Sequence, residues 1–177
     1  MSKPVTRAEI ECAVRNVPDF PKAGIQFKDI TPVLADARLF SGAVDLLTEN
    51  FAPGSIDSVV GIDARGFIFA AAAATKLHAG FVPVRKKGKL PFQTIEQDYG
   101  LEYGNATVAI HVDALKPGAR VLLVDDLLAT GGTASAAISL IKKLGGRILE
   151  VGFLIELKFL DGRSKLGNVN VRSLVTY

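Results

Sequence analysis

The chain has 177 residues, 49% hydrophobic and 22% charged, with 21 Lys and Arg against 18 Asp and Glu for a net charge of +3. That is one domain's length with a full core, and the positive excess is too small to argue for nucleic acid from composition. A single cysteine excludes an internal disulfide, and the isolated His78 and His111 lack zinc-ligand spacing.

The opening MSKPVTRAEI has no apolar core, so it does not read as a secretory signal. The longest apolar stretch, GFIFAAAAA, has nine residues, short of a membrane span. A cytoplasmic protein is expected. In residues 7–17, Ile10, Ala13, Val14 and Val17 recur at helical spacing and predict an amphipathic helix, with Cys12 packed rather than reactive. PDFPKAGIQFKDITP carries three prolines and a glycine and reads mostly as loop. A second helix is expected over 38–50, a short buried strand at DSVVGI, and an alanine-rich helix over 66–78. GFVPV is a second strand, ending at the basic cluster RKKGK (85–89). Residues 92–112 hold β-branched and aromatic residues around two Tyr-Gly pairs and read as an antiparallel excursion. Strands follow over 120–124, 147–157 and 169–175, with a helix over 132–144. Strands alternating with helices predict a central, mostly parallel sheet flanked by helices, with ligands at the strands' carboxyl ends. No repeat or linker divides the chain, so 1–177 is taken as a single domain.

The richest stretch is VLLVDDLLATGGTA (121–134). Val121–Val124 fits a strand buried on both faces, which puts Asp125 and Asp126 at its carboxyl end. Residues 129–132 make a turn and Thr133 begins a helix, whose unpaired N–H groups stabilise a phosphate. Neither a G-x-x-x-x-G-K-[ST] nor a G-x-G-x-x-G pattern is present. Unit charges about 5 Å apart interact by about 3 kcal/mol at an effective dielectric of about 20, so two carboxylates would oppose a polyphosphate lying over them. Ionised carboxylates only accept hydrogen bonds and suit the vicinal hydroxyls of a ribose. The stretch therefore reads as a ribose 5-monophosphate site, with phosphate in the turn and hydroxyls on the acids.

VLLVDDLLATGGT also resembles the phosphoribosyl pyrophosphate (PRPP) motif of the type I phosphoribosyltransferases. FPKAGIQFKDITPVL (20–34), GIDARGF (61–67), RKKGKLP (85–91) and LEYG (101–104) resemble the adenine-using members of that family. The resemblance spans most of the chain. It implies the type I α/β fold, with an N-terminal base-binding segment (1–35) and a flexible antiparallel lid (92–112). It also implies that PRPP and adenine become AMP and pyrophosphate in purine salvage. Mg²⁺ would be held mainly through PRPP and water, so no residue is assigned as a metal ligand.

By the same resemblance, Asp125, Asp126, Ala129, Thr130, Gly131, Gly132 and Thr133 bind the ribose 5-phosphate part of PRPP. Ala64, Arg65, Arg85, Lys86 and Lys89 receive pyrophosphate, with a cis peptide expected between Asp63 and Ala64. A homodimer is implied, with Arg85 acting in the neighbouring subunit. Phe27 stacks on adenine while the backbone of Gln26 and Lys28 reads its edge. Glu102 manages the proton at adenine N7 as the catalytic residue, and Tyr103 helps close the lid. Phe92 and Gln26 depart from the residues common in relatives, and a backbone contact at 26 makes that change harmless.

The alternatives are separable. A PRPP-sensing DNA-binding regulator would need an added domain, and the residues before the first strand are already taken by helices and loop. RKKGK, read alone, could touch RNA, but it lacks interleaved aromatics. A 6-oxopurine or orotate transferase is disfavoured by GIQFKDITP.

Overall fold

The computed structural model describes residues 3–100 and 105–177. Its first helix, α1 (Arg7–Ala13), starts at a capping box in which Thr6 and Glu9 bond each other's backbone N–H. It stops well short of Val17, contrary to the helix expected over 7–17. Pro18 biases the residue before it toward extended backbone, and Arg15–Pro18 forms β1 instead. Its partner β2 (Gln26–Asp29) lies inside the stretch read as loop and pairs antiparallel, with Val17 opposite Phe27. Cys12, expected to pack, is exposed.

Two helices follow. The short α2 (Thr31–Ala35) carries Pro32 in its first turn, where no N–H bond is lost. α3 (Ala37–Thr48) begins at Asp36, whose carboxylate accepts from the Arg38 and Leu39 N–H groups at 2.8 and 2.9 Å. Thr31 closes the corner between β2 and α2: its N–H and hydroxyl donate to Asp29 at 2.9 and 2.8 Å, holding that carboxyl below the ordinary range.

The main sheet contains β3 (Ser58–Ile62), β4 (Gly80–Lys86), β5 (Thr94–Gly100), β6 (Asn105–His111), β7 (Arg120–Leu128), β8 (Arg147–Glu156) and β9 (Val171–Thr176). Their spatial order is β5-β6-β4-β3-β7-β8-β9. β4, β3, β7, β8 and β9 run parallel, whereas β6 runs antiparallel to β4 and β5 antiparallel to β6. The excursion expected over 92–112 is thus the β5–β6 edge. Helix α4 (Gly66–Leu77) connects β3 to β4, and α5 (Gly132–Lys143) connects β7 to β8.

Two buried clusters make the core. One includes Ile10, Leu47, Val59, Phe69 and Leu122, and the other Val60, Leu123, Ile141 and Phe153. Val59 and Val60, like Leu122 and Leu123, point to opposite faces, which is why these strands read as unbroken apolar runs. Sequence order diverges at β3: its connection through α4 leads to β4 on one side, while β7 lies on the other. The crevice beyond the carboxyl ends of β3 and β7 is therefore the topological switch point, where open sheets bind ligands. Among the described residues no helix is long and apolar enough to cross a membrane.

Candidate active site

From the β3 side, the chain leaves Ile62 through Asp63, Ala64 and Arg65 and enters α4. The Asp63–Ala64 peptide is cis, as is Phe20–Pro21. No side chain caps α4; in its first turn the Phe67 and Ile68 N–H groups donate to the Ala64 and Arg65 carbonyls at 3.3 and 3.2 Å. Gly66 brings this helix end against β7: a methyl group there would overlap the Asp125 carboxylate and lie 3.1 Å from the Asp125 Cα. Gly66→Ala should displace that acid and lower kcat/KM about tenfold or more while the chain still folds; the steady-state assay with far-ultraviolet circular dichroism checks this.

β7 continues to Leu128 rather than ending at 124, so Asp125 and Asp126 stand inside the last turn of the pleat. Asp126 is 6% exposed. Its N–H donates to Asp125 Oδ1 at 2.9 Å, and Arg65 Nε lies 2.7 Å from Asp126 Oδ2. Burial, and then the neighbouring carboxylate, push the Asp125 carboxyl well above the usual carboxylate range. Burial also raises Asp126, with the Arg65 guanidinium opposing. Hydrogen-bond donors reaching the two carboxyls would favour the ionised form of both.

Beyond the acids, the turn runs through Ala129 and Thr130 to Gly131, whose φ of 77° only glycine adopts without strain. A side chain there would also meet the Gly162 backbone, 2.9 Å from its carbonyl carbon. Gly162 opens a 3₁₀ turn (Gly162–Leu166) after β8. No side chain caps α5. Asp125 and residues 127–134, Gly132 and Thr133 among them, enclose a pocket of about 80 Å³, several waters' worth of space and open to a small anion.

The N-terminal segment reaches the same place. Phe27 packs edge-on against Phe20 at 5.0 Å, and the Arg65 guanidinium sits 5.3 Å from the centre of its ring. Arg65 thus joins the acid pair to the aromatic expected to hold a base. The Gln26 side chain accepts from Asn16 at 2.8 Å, and Lys28 places its ammonium 3.7 Å over the Tyr177 ring. Both side chains have partners within the chain.

The basic cluster divides. Arg85 Nε donates to Asp63 at 3.0 Å and its terminal nitrogen to the Lys89 carbonyl at 2.9 Å, which sets it beside the β3 loop. Lys87 pairs with Glu96 at 2.7 Å. Lys86 and Lys89 are exposed, with no ion pair among the described residues. Glu102 and Tyr103 lie outside the described residues. Asp63, Gly66 and Gly162 were not singled out from the sequence. Asp63 could have been, as the acid beside the expected cis peptide, whereas Gly162 offers only an Asp-Gly turn dipeptide.

Comparison with known proteins places this geometry. The family model described as the phosphoribosyl transferase domain matches residues 32–170. Among curated proteins, an adenine phosphoribosyltransferase of Acidothermus cellulolyticus is 56% identical over 162 residues, 92% of each chain. The crystal structure of adenine phosphoribosyltransferase from Rhodothermus marinus is 50% identical and superposes with a TM-score of 0.91, covering 97% of this chain and 98% of that one. The Saccharomyces cerevisiae enzyme, crystallised with an imino-altritol bisphosphate and adenine, is 42% identical with a TM-score of 0.90, covering 95% and 97%.

Proposed function

The chain belongs to the phosphoribosyltransferase family, and on that premise we propose that it is a pentosyltransferase that moves the 5-phosphoribosyl group of PRPP to adenine, giving AMP and pyrophosphate in purine salvage. The observation that carries this reading is a pair of adjacent carboxyls beside an uncapped glycine turn, with Phe27 reached through Arg65.

The 5-phosphate sits in the turn from Ala129 to Thr133, on N–H groups that no side chain occupies. The two ribose hydroxyls donate to Asp125 and Asp126 and favour the ionised form of both acids. Their charge then lies beneath a sugar that gains positive character as the bond from the anomeric carbon to pyrophosphate oxygen breaks and the bond to adenine N9 forms. The leaving pyrophosphate meets the loop before α4 at Ala64, together with Arg65, Lys86 and Lys89. Mg²⁺ would be held mainly through PRPP oxygens and water rather than by protein side chains, and would supply neutralisation of part of the pyrophosphate charge.

Adenine lies against Phe27, and the backbone of Gln26 and Lys28 meets its edge. An amino group donates where an oxo group accepts, and a mismatch costs about 1–3 kcal/mol per unpaired buried group. Glu102 takes up the proton that adenine surrenders on transfer, under a lid formed by 92–112 with Tyr103. The working unit is a homodimer in the cytoplasm, in which Arg85 serves the neighbouring site.

Incubation with PRPP, Mg²⁺ and one base at a time tests the substrate: pyrophosphate release with adenine alone is expected, and equal turnover of hypoxanthine would remove the base assignment. Glu102→Leu should lower kcat by about a hundredfold, the usual scale of general acid–base catalysis, with little change in PRPP affinity. Unchanged turnover would take Glu102 out of the mechanism.

A further inference from the structure

The edge strand β5 alternates: Glu96 and Asp98 are exposed, while Ile95, Gln97 and Tyr99 are half-buried. Ile95 and Tyr99 pack on the core cluster shared with α5. Gln97 stands between them, a polar residue on the inward row of the strand. A polar group in that position needs partners, and it has them on both its oxygen and its nitrogen. Its carbonyl oxygen accepts from Ser139 Oγ at 3.1 Å and from Lys143 Nζ at 2.8 Å, and its amide nitrogen donates to the Asp98 carbonyl at 3.1 Å. Lysine only donates, so the oxygen's orientation follows from chemistry. Ser139 and Lys143 are four apart on α5 and share one face.

That face leads to the phosphate turn. Gly132, the first residue of α5, lies so close to β5 that a methyl group there would stand 3.1 Å from the Tyr99 ring and 3.3 Å from the Gly100 carbonyl. Two residues beyond Gln97, then, the strand forms the outer wall of the turn. A leucine at 97 would satisfy burial as well, but apolar contact has no direction and leaves strand and helix able to slide. Directional bonds to two donors on one helix face set the strand's position along the helix.

We infer that Gln97 is a positioning residue for the sugar phosphate: by its bonds to Ser139 and Lys143 it holds Tyr99 and Gly100 against Gly132 and so shapes the phosphate turn. This rests on the turn being the 5-phosphate site. Lys143 also lies in the last turn of α5, where a cation is favourable in itself; that explains the lysine but not the glutamine aimed at it.

Gln97→Leu keeps the buried volume and removes both bonds. It should weaken ribose 5-phosphate binding, read by calorimetry, and raise the KM for PRPP, each about tenfold, the scale of losing hydrogen bonds to a charged partner. The KM for adenine, kcat and the melting temperature should stay near their parent values. Gln97→Glu, which accepts from the same two donors, should restore both affinities. Parent-like ribose 5-phosphate affinity in Gln97→Leu, or no recovery in Gln97→Glu, would overturn the inference. Failure of the parent protein to make AMP would instead strike the proposed reaction, because ribose 5-phosphate binding is read without catalysis.

Discussion

Asp125→Asn should make the protein more stable and the enzyme much worse. The Asp125 carboxyl is raised by burial and by Asp126, so the folded state holds its proton at pH values where the unfolded chain, with a carboxyl near its ordinary pKa of about 3.9, has lost it. In that window the folded state binds more protons than the unfolded one. Stability therefore falls as pH rises from the unfolded value through the folded one, and above both the destabilisation is fully present. Asparagine cannot ionise, still accepts the Asp126 N–H, and removes the like charge. Its melting temperature at neutral pH should exceed the parent's, and the decline of stability with rising pH should flatten. The same change removes a charged acceptor for a ribose hydroxyl, a bond worth about 1.5–3 kcal/mol, so kcat/KM should fall about 10- to 100-fold. Asp126→Asn provides the contrast: it leaves Arg65 without its carboxylate partner at 2.7 Å, so activity and stability should fall together. Thermal melts across pH with steady-state kinetics check both. A destabilised Asp125→Asn would mean that the two acids do not repel each other in the fold.

Gly131→Ala should damage fold and activity at once. The residue must adopt φ of 77° and put its methyl group against the Gly162 backbone. Left-handed backbone costs a non-glycine residue about 1–2 kcal/mol and overpacking about 1–3 kcal/mol more. Urea denaturation should show a loss of about 2–5 kcal/mol, and kcat/KM should drop about a hundredfold or more, the scale of losing one preorganised donor to a charged group. Gly145→Ala is the control. Gly145 has the same φ of 77°, but a methyl group there meets Pro117 only at 3.4 Å, far from the turn. It should lose the backbone term alone and keep its activity. Equal activity losses in both variants would mean that general loosening, rather than the turn's shape, sets the rate.

The parts of this architecture readable from sequence are those written in local pattern. Apolar runs such as Val121–Val124 announce strands buried on both faces. An acidic pair set between such a run and a glycine turn puts acceptors for hydroxyls beside donors for an anion, which matches a sugar phosphate. The helix expected over 7–17 ends early for a reason of the opposite kind. Val14 and Val17 keep a helical spacing, but Pro18 and the pairing of Val17 with Phe27 across β1 and β2 decide the backbone there. β2 itself was hidden by the prolines and glycine around it. Gly66 and Gly162 carry no local mark of their importance, since each is required by a neighbour distant in sequence, Asp125 and Gly131. The exposed side of α1 at Cys12 was equally invisible, because residues 8, 9, 38 and 39 line the groove beside it, the last two from another helix.

A crystal structure of the protein with AMP tests the central claim most directly. The phosphate should lie within hydrogen-bonding distance of the backbone from Ala129 to Thr133. The two ribose hydroxyls should rest on the Asp125 and Asp126 carboxylates, with the base against Phe27. A nucleotide whose phosphate lies outside that turn, or whose pentose makes no contact with either aspartate, would contradict the assignment.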